Sequence, residues 1–146
     1  MKELILKVKR TVRYLFYRQL NINEQIEITN YLEDNSLLSL FWKMSMADRQ
    51  HSYEVFNRTK KNSREKDLLL LSLLHDIGKS KIHASLIFRV FSDIGIINNT
   101  KSEIYLNHEI IGIELLEENN LNENVINYYK NNLLKQKNSI LDKTDY

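Results

Sequence analysis

Glu65-Lys-Asp-Leu-Leu-Leu-Leu-Ser-Leu-Leu-His-Asp-Ile-Gly-Lys79 places six leucines in the seven positions 68–74 and follows them at once with His75 and Asp76. A segment apolar on nearly every side belongs in the centre of a helical domain. The spacing predicts one buried helix from Glu65 to Ile77, with Ser63 as its N-cap and Gly78 closing it. The apolar run is interrupted by Ser72 and is far too short to span a bilayer.

Outward from this stretch, apolar residues recur at helical spacing almost throughout. Upstream, Lys60-Lys61-Asn62-Ser63 reads as a turn, preceded by a helix that Asp48 starts and that carries His51, Val55 and Phe56. Leu37 to Met44 and the set Ile22, Ile26, Ile28 and Leu32 predict two more helices. A first helix over Lys2 to Leu20 carries the stripe Leu4, Val8, Val12, Leu15 and Phe16 between basic residues. That stripe suits packing on the domain better than an anionic membrane or RNA. Phe16, Phe41 and Trp42 read as core residues. Downstream, the pattern predicts helices over Ile82 to Ile94 (ended by Gly95), Ile104 to Glu118, Asn122 to Asn132 and Ser139 to Asp145.

The chain has 146 residues, no proline and three glycines. Scarce strand and turn punctuation favours helices joined by polar loops. The expectation is an all-α bundle of roughly seven to nine helices. It is read as one domain over 1–146, in which helices of 1–43 pack on a core over 44–146. With no cysteine, disulfides, thiolate metal sites and cysteine nucleophiles are excluded. The net charge of +2 comes from interspersed acids and bases, which makes no case for a nucleic-acid partner. The start Met1-Lys-Glu-Leu-Ile-Leu-Lys lacks a secretory signal pattern, so a cytoplasmic protein without membrane attachment is expected. Oligomeric state is not legible.

His75 and Asp76 are the chemistry-bearing residues of the central stretch. Burying an imidazole and a carboxylate there costs free energy unless something pairs with them. A core histidine bonded to backbone beside an exposed aspartate is one answer. A divalent cation, which neutralises the carboxylate and accepts the imidazole lone pair, is the other. His51 lies on the preceding helix. Asp142 and Asp145 share a helical face near the other end, where an acidic pair at a helix C-terminus is unfavourable without a cation or solvent.

Three segments together resemble the HD-domain superfamily of metal-dependent phosphohydrolases. They are Asp48-Arg-Gln-His51-Ser-Tyr-Glu-Val55, Leu73-Leu-His75-Asp76-Ile-Gly78-Lys79 and His108-Glu-Ile-Ile-Gly112-Ile-Glu-Leu-Leu116. Met44-Ser-Met-Ala-Asp48 and the helices before it also resemble a group of short bacterial HD proteins. The resemblance implies an all-α fold in which His51, His75, Asp76 and a distant aspartate meet at one divalent transition metal (Mn, Fe, Co, Ni or Zn). Asp145 best matches that last ligand, because Leu141-Asp-Lys-Thr-Asp145 resembles the closing segment of the family; Asp142 is the alternative. The implied reaction is hydrolysis of a nucleotide or related small-molecule phosphoester by a metal-activated water. Asp76 and Lys79 are the expected catalytic residues, Lys79 facing the phosphate.

His108 is a candidate phosphate contact or second-site residue, or simply a polar helix start. Members with two metals add histidines where this chain has Lys130-Asn131-Asn132, which argues for one metal. That departure leaves a second reading open, a non-catalytic domain that binds a metal or nucleotide as a sensor or docking module. It also disfavours a two-iron oxygenase. Lys81 and Arg89 are weaker phosphate candidates, and His83 reads as surface.

Overall fold

The computed structural model describes residues 9, 12–93 and 95–146. Among them are nine α-helices and no strand. These are α1 Ile22–Tyr31, α2 Asn35–Lys43, α3 Met46–Asn62, α4 Lys66–Leu74, α5 Leu86–Asp93, α6 Thr100–Leu106, α7 His108–Glu118, α8 Glu123–Tyr129 and α9 Ser139–Thr144. A 3-10 turn, Ile77–Lys81, follows α4, and a π-helical segment, Lys130–Lys135, continues α8. The all-α single domain expected from the periodicity is what is found.

Local signals start most of the helices. Asn21 and Glu24 form a reciprocal capping box on α1. Asp34 accepts from Ser36 and Leu37 at the start of α2, and Asn138 accepts from Ile140 and Leu141 at the start of α9. For α3 the cap is Ser45 rather than Asp48. Asp48 is wholly buried and turned to other use. Ser63 closes α3 instead of capping α4, whose N-cap Glu65 makes no side-chain cap bond.

The central helix is as buried as its composition demands. Leu68, Leu69, Leu71, Ser72, Leu73 and Leu74 are all buried in α4. They join a cluster running from Leu20 and Ile28 through Phe41 and Phe56 to Leu116 and Leu141. The α-helix ends three residues earlier than the pattern suggests. Asp76, at φ −100° and ψ 9°, turns the chain into the 3-10 segment. Gly78 is therefore not a helix cap. It is a point of close approach, where an added Cβ would collide with the main-chain oxygen of His108 at the start of α7. Gly112 serves the same contact from the other side, facing Ile77 and the Tyr129 hydroxyl.

Three other expectations change. The helix predicted over 104–118 is two helices, broken at Asn107, which leaves His108 as the first residue of α7. The helix predicted from Ile82 begins at Leu86. Much of the helix predicted over 2–20 (2–8, 10 and 11, with Leu4 and Val8) lies outside the described residues. In the described part only Lys9 and residues 12–15 are helical. Val12, Leu15 and Phe16 are exposed, Phe16 at 80%, so Phe16 is not a core residue. The chain leaves the helix there, and Tyr17 and Leu20 supply the buried contacts instead. Phe41 is fully buried and Trp42 packs against the core, as expected.

Because backbone rather than a flexible side chain faces Gly78, Gly78→Ala should cost at least about 1–3 kcal/mol by overpacking. Thermal denaturation monitored by circular dichroism reads this as a lowered Tm. An unchanged Tm would mean that the turn and α7 are not in contact.

Candidate metal centre

α3 and α4 lie side by side, and α9 packs on α3. That arrangement brings His51 from the second turn of α3, the His75–Asp76 pair from the exit of α4 and Asp145 from the end of α9 to one place. One ligand atom from each of His51, His75 and Asp76 lies within 4.8 Å of the others, and all three residues are buried. Asp145 Oδ1 stands 3.0 Å from His51 Nε2 and 3.7 Å from His75 Nε2. His75 Nε2 is 3.6 Å from Asp76 Oδ2, and His51 Nε2 is 3.9 Å from that same oxygen.

The hydrogen bonds on the far sides of the rings fix which nitrogen faces inward. His75 Nδ1 lies 2.8 Å from the Ser72 carbonyl, so Nδ1 carries the proton and donates it. Its Nε2 is then a buried nitrogen, and it has no hydrogen-bond partner. His51 Nδ1 is 3.3 Å from the Tyr17 hydroxyl, which in turn reaches Glu54 at 3.5 Å. Burial and the Glu54 charge push the Tyr17 phenol up to about 12, so it keeps its proton. That Nε2 makes no hydrogen bond yet stands 3.6 and 3.7 Å from two carboxylate oxygens, a place a cation could occupy. Two imidazoles with two carboxylates fit a divalent transition metal.

Without a cation, other groups carry the charge balance. Lys79 Nζ donates to Asp76 Oδ2 at 2.7 Å, and His108 Nε2 lies 3.0 Å from Asp76 Oδ1. Burial opposes ionisation of Asp76, but Lys79, His75 and His108 outweigh it and hold the carboxyl well below its ordinary range. Burial likewise opposes the Lys79 charge, and Asp76 reverses this and raises its pKa. Asp145 is held far down against burial by His75 and His51, and Lys137 Nζ donates to its Oδ2 at 2.6 Å. Burial pushes His51 down, towards the neutral form a ligand needs. Burial also disfavours charge on His75, but Asp76 and Asp145 prevail and raise its pKa above the ordinary value.

The cluster opens into a cavity of about 240 Å³, walled by Tyr14, Lys79, Arg89, Tyr105, His108 and Lys137 among others. His51, His75, Asp76 and Asp145 converge as the sequence suggested, and Lys79 and His108 reach the cavity through Asp76. Asp142 is exposed on α9 and does not line the cavity. Asn131 is exposed, Asn132 donates to the Tyr128 carbonyl at 3.2 Å, and neither lines the cavity. Lys81 and His83 are exposed. A family model for the HD domain matches residues 49–144. The chain belongs to the HD-domain family. HD domains are generally metal-dependent phosphohydrolases. No curated protein and no solved structure matches the chain. The match opens two residues before His51, takes in His75 and Asp76, and closes one residue before Asp145.

Arg89 is not a free phosphate ligand in this HD domain. It forms a bidentate pair with Asp48 at 2.5 and 2.7 Å, and both side chains are buried. Tyr14 and Tyr105 lie over the guanidinium at 5.0 and 5.7 Å, and the Tyr14 hydroxyl donates to Asp48. This pair carries no motif in the sequence, because its members lie 41 residues apart, and Lys137, eight residues before Asp145, carries none either. Burial opposes ionisation of Asp48, but Arg89 outweighs it and keeps the carboxyl below its ordinary 3.8. A carboxyl whose folded pKa is depressed binds more protons when unfolded, so its stabilisation is complete above about 3.8 and is lost as pH falls through the folded value. Asp48→Asn should cost about 3–5 kcal/mol at neutral pH in denaturant titration. That deficit should shrink steadily below about pH 3.8. A constant deficit down the acid limb would contradict the ion pair.

Proposed function

We propose that this HD domain hydrolyses a small phosphoester, of nucleotide or related type, with one divalent transition metal held by His51, His75, Asp76 and Asp145. The observation that carries the reading is the buried Nε2 of His75, which makes no hydrogen bond and stands within 3.7 Å of carboxylate oxygens of Asp76 and Asp145, two residues that line the cavity with His51. Asp145 serves better than Asp142 as the fourth ligand, since its oxygen already faces both imidazoles while Asp142 is exposed. A bound divalent cation supplies a water nucleophile at neutral pH and Lewis-acid stabilisation of phosphoryl oxygens.

The remaining work falls to side chains of the cavity wall. Lys79 and Lys137 hold the two carboxylates in this structure, one lysine on each. With a cation held by those carboxylates, both ammonium groups would be free to face the cavity they line. There they would bind phosphoryl oxygens and offset the charge that grows on them. Lys79 is buried, so its charge acts in a weakly screened environment. His108 is anchored by its Nδ1 on the Tyr105 carbonyl at 2.8 Å and presents Nε2 to Asp76 at the cavity edge. That placement suits it to orient a water or move a proton, without making it a ligand of a second metal. One cluster among the described residues, and asparagines that stand outside the cavity, support a single-metal site.

Dialysed protein should hold about one equivalent of metal by elemental analysis, and His75→Ala should hold far less. With Mn²⁺, Co²⁺ or Fe²⁺ it should release phosphate from some member of a nucleotide panel and lose that activity on chelation. Asp76→Ala should cut turnover by more than about a hundredfold, the upper range for mere outer-shell partners, while the helical circular dichroism persists. Metal and nucleotide binding with no turnover across the panel would support a sensor instead. An absence of metal in the parent would end the metal reading.

A further inference from the structure

Arg58 ties the main chain of the turn that carries Asp145 to α3. Arg58 lies seven residues after His51, two turns along the same face of α3 and about 10.5 Å away. Its Nη1 donates to the main-chain oxygens of Thr144 and Tyr146, each at 3.0 Å. The residues on both sides of Asp145 thus hang from one guanidinium nitrogen. The guanidinium also lies over the Tyr146 ring at 4.2 Å. Arg13 donates to the same Tyr146 oxygen, and Thr59 and Thr144 share a hydroxyl hydrogen bond at 2.9 Å beneath it.

The other branch of Arg58 runs towards His51. Nη2 donates to Glu54 Oε2 at 2.9 Å, the oxygen to which Tyr17 donates at 3.5 Å. Tyr17 is in turn the hydroxyl 3.3 Å from His51 Nδ1. One planar fork therefore reaches the supports of two residues of the cluster that are 94 positions apart in sequence. Asp145 needs such support. It is the C-cap of α9, a six-residue helix, and its backbone at φ −86° and ψ 78° has already left the helical course. A helix that short has little stability of its own, so tertiary anchors decide where its carboxylate sits.

We propose that Arg58 is a positioning residue of the metal centre. It fixes the Asp145 carboxylate through the main-chain oxygens on either side and steadies the His51 ring through Glu54 and Tyr17, without touching the cluster itself. This rests on the metal reading above. A lysine cannot reproduce it, because a single ammonium lacks the fork that spans two carbonyls and a carboxylate.

The test is a calorimetric titration with Co²⁺ of the parent, Arg58→Gln, Arg58→Lys, Asp145→Asn and the double variant Arg58→Gln/Asp145→Asn, with the metal-free Tm of each. Arg58→Gln should bind Co²⁺ about ten- to a hundredfold more weakly, as loss of ligand-orienting partners does. In the Asp145→Asn background the same change should cost much less, because the residue it positions is no longer a carboxylate. Losses that simply multiply, or a lowered metal-free Tm with unchanged Co²⁺ affinity, would show an ordinary structural role and overturn the proposal. If Arg58→Gln fails to fold, Arg58→Lys decides: weaker binding supports the proposal and parent-like binding overturns it. A parent that binds no Co²⁺ removes the metal reading itself. A parent that binds while Arg58→Gln matches it removes only the role given to Arg58.

Discussion

Two ionised carboxylates, buried Asp76 and partly buried Asp145, lie within reach of the same imidazole nitrogen, and the rest of the structure is arranged around keeping them charged. Each buried ion carries a desolvation penalty of several kcal/mol unless charge and hydrogen bonds compensate it. Here Lys79 and His108 converge on Asp76, and Lys137 and His51 on Asp145. Lysine and imidazole nitrogens ring the pair, and the nitrogen within 3.7 Å of both, His75 Nε2, makes no hydrogen bond. A divalent cation there would meet both carboxylates and both imidazoles at once, and would leave the lysines free for an anion.

The fold serves that constraint by holding short pieces rigid. α4 is a leucine helix buried along its second half, from Leu71 to Leu74. It fixes His75 by the Ser72 carbonyl and delivers Asp76 at the start of a tight 3-10 turn. α7 is pressed onto that turn where Gly78 and Gly112 leave room, which places His108 against Asp76. A second buried pair, Asp48 with Arg89, binds the start of α3 to α5 across the cavity wall. The last two of these anchors join segments far apart in sequence.

That last property decides what could be read from the sequence. The helical class followed from periodicity and the lack of proline, and the central helix from six leucines in seven positions. His51, His75, Asp76 and Asp145 were singled out by the resemblance of their segments to the family's motifs, and the structure places the four side chains near one another. Gly78 was read as a helix cap because the local pattern cannot show that another helix passes over it. Asn107, which splits α6 from α7, carries no breaker signal, and the exposure of Phe16 depends on where the chain leaves its helix. Arg58, Arg89 and Lys137 were not legible in these roles, since a lone basic residue looks the same in sequence whether it meets solvent, a main-chain oxygen or a carboxylate.

The central claim is that a cation belongs in the gap these four residues enclose. The most direct measurement is anomalous diffraction at the metal edge from crystals of the Co²⁺- or Zn²⁺-loaded protein. The account predicts one strong peak within about 2.0–2.2 Å of His51 Nε2 and His75 Nε2 and of one oxygen each from Asp76 and Asp145. A loaded crystal whose peak lies elsewhere, or whose His75 Nε2 stays without a metal, would contradict it.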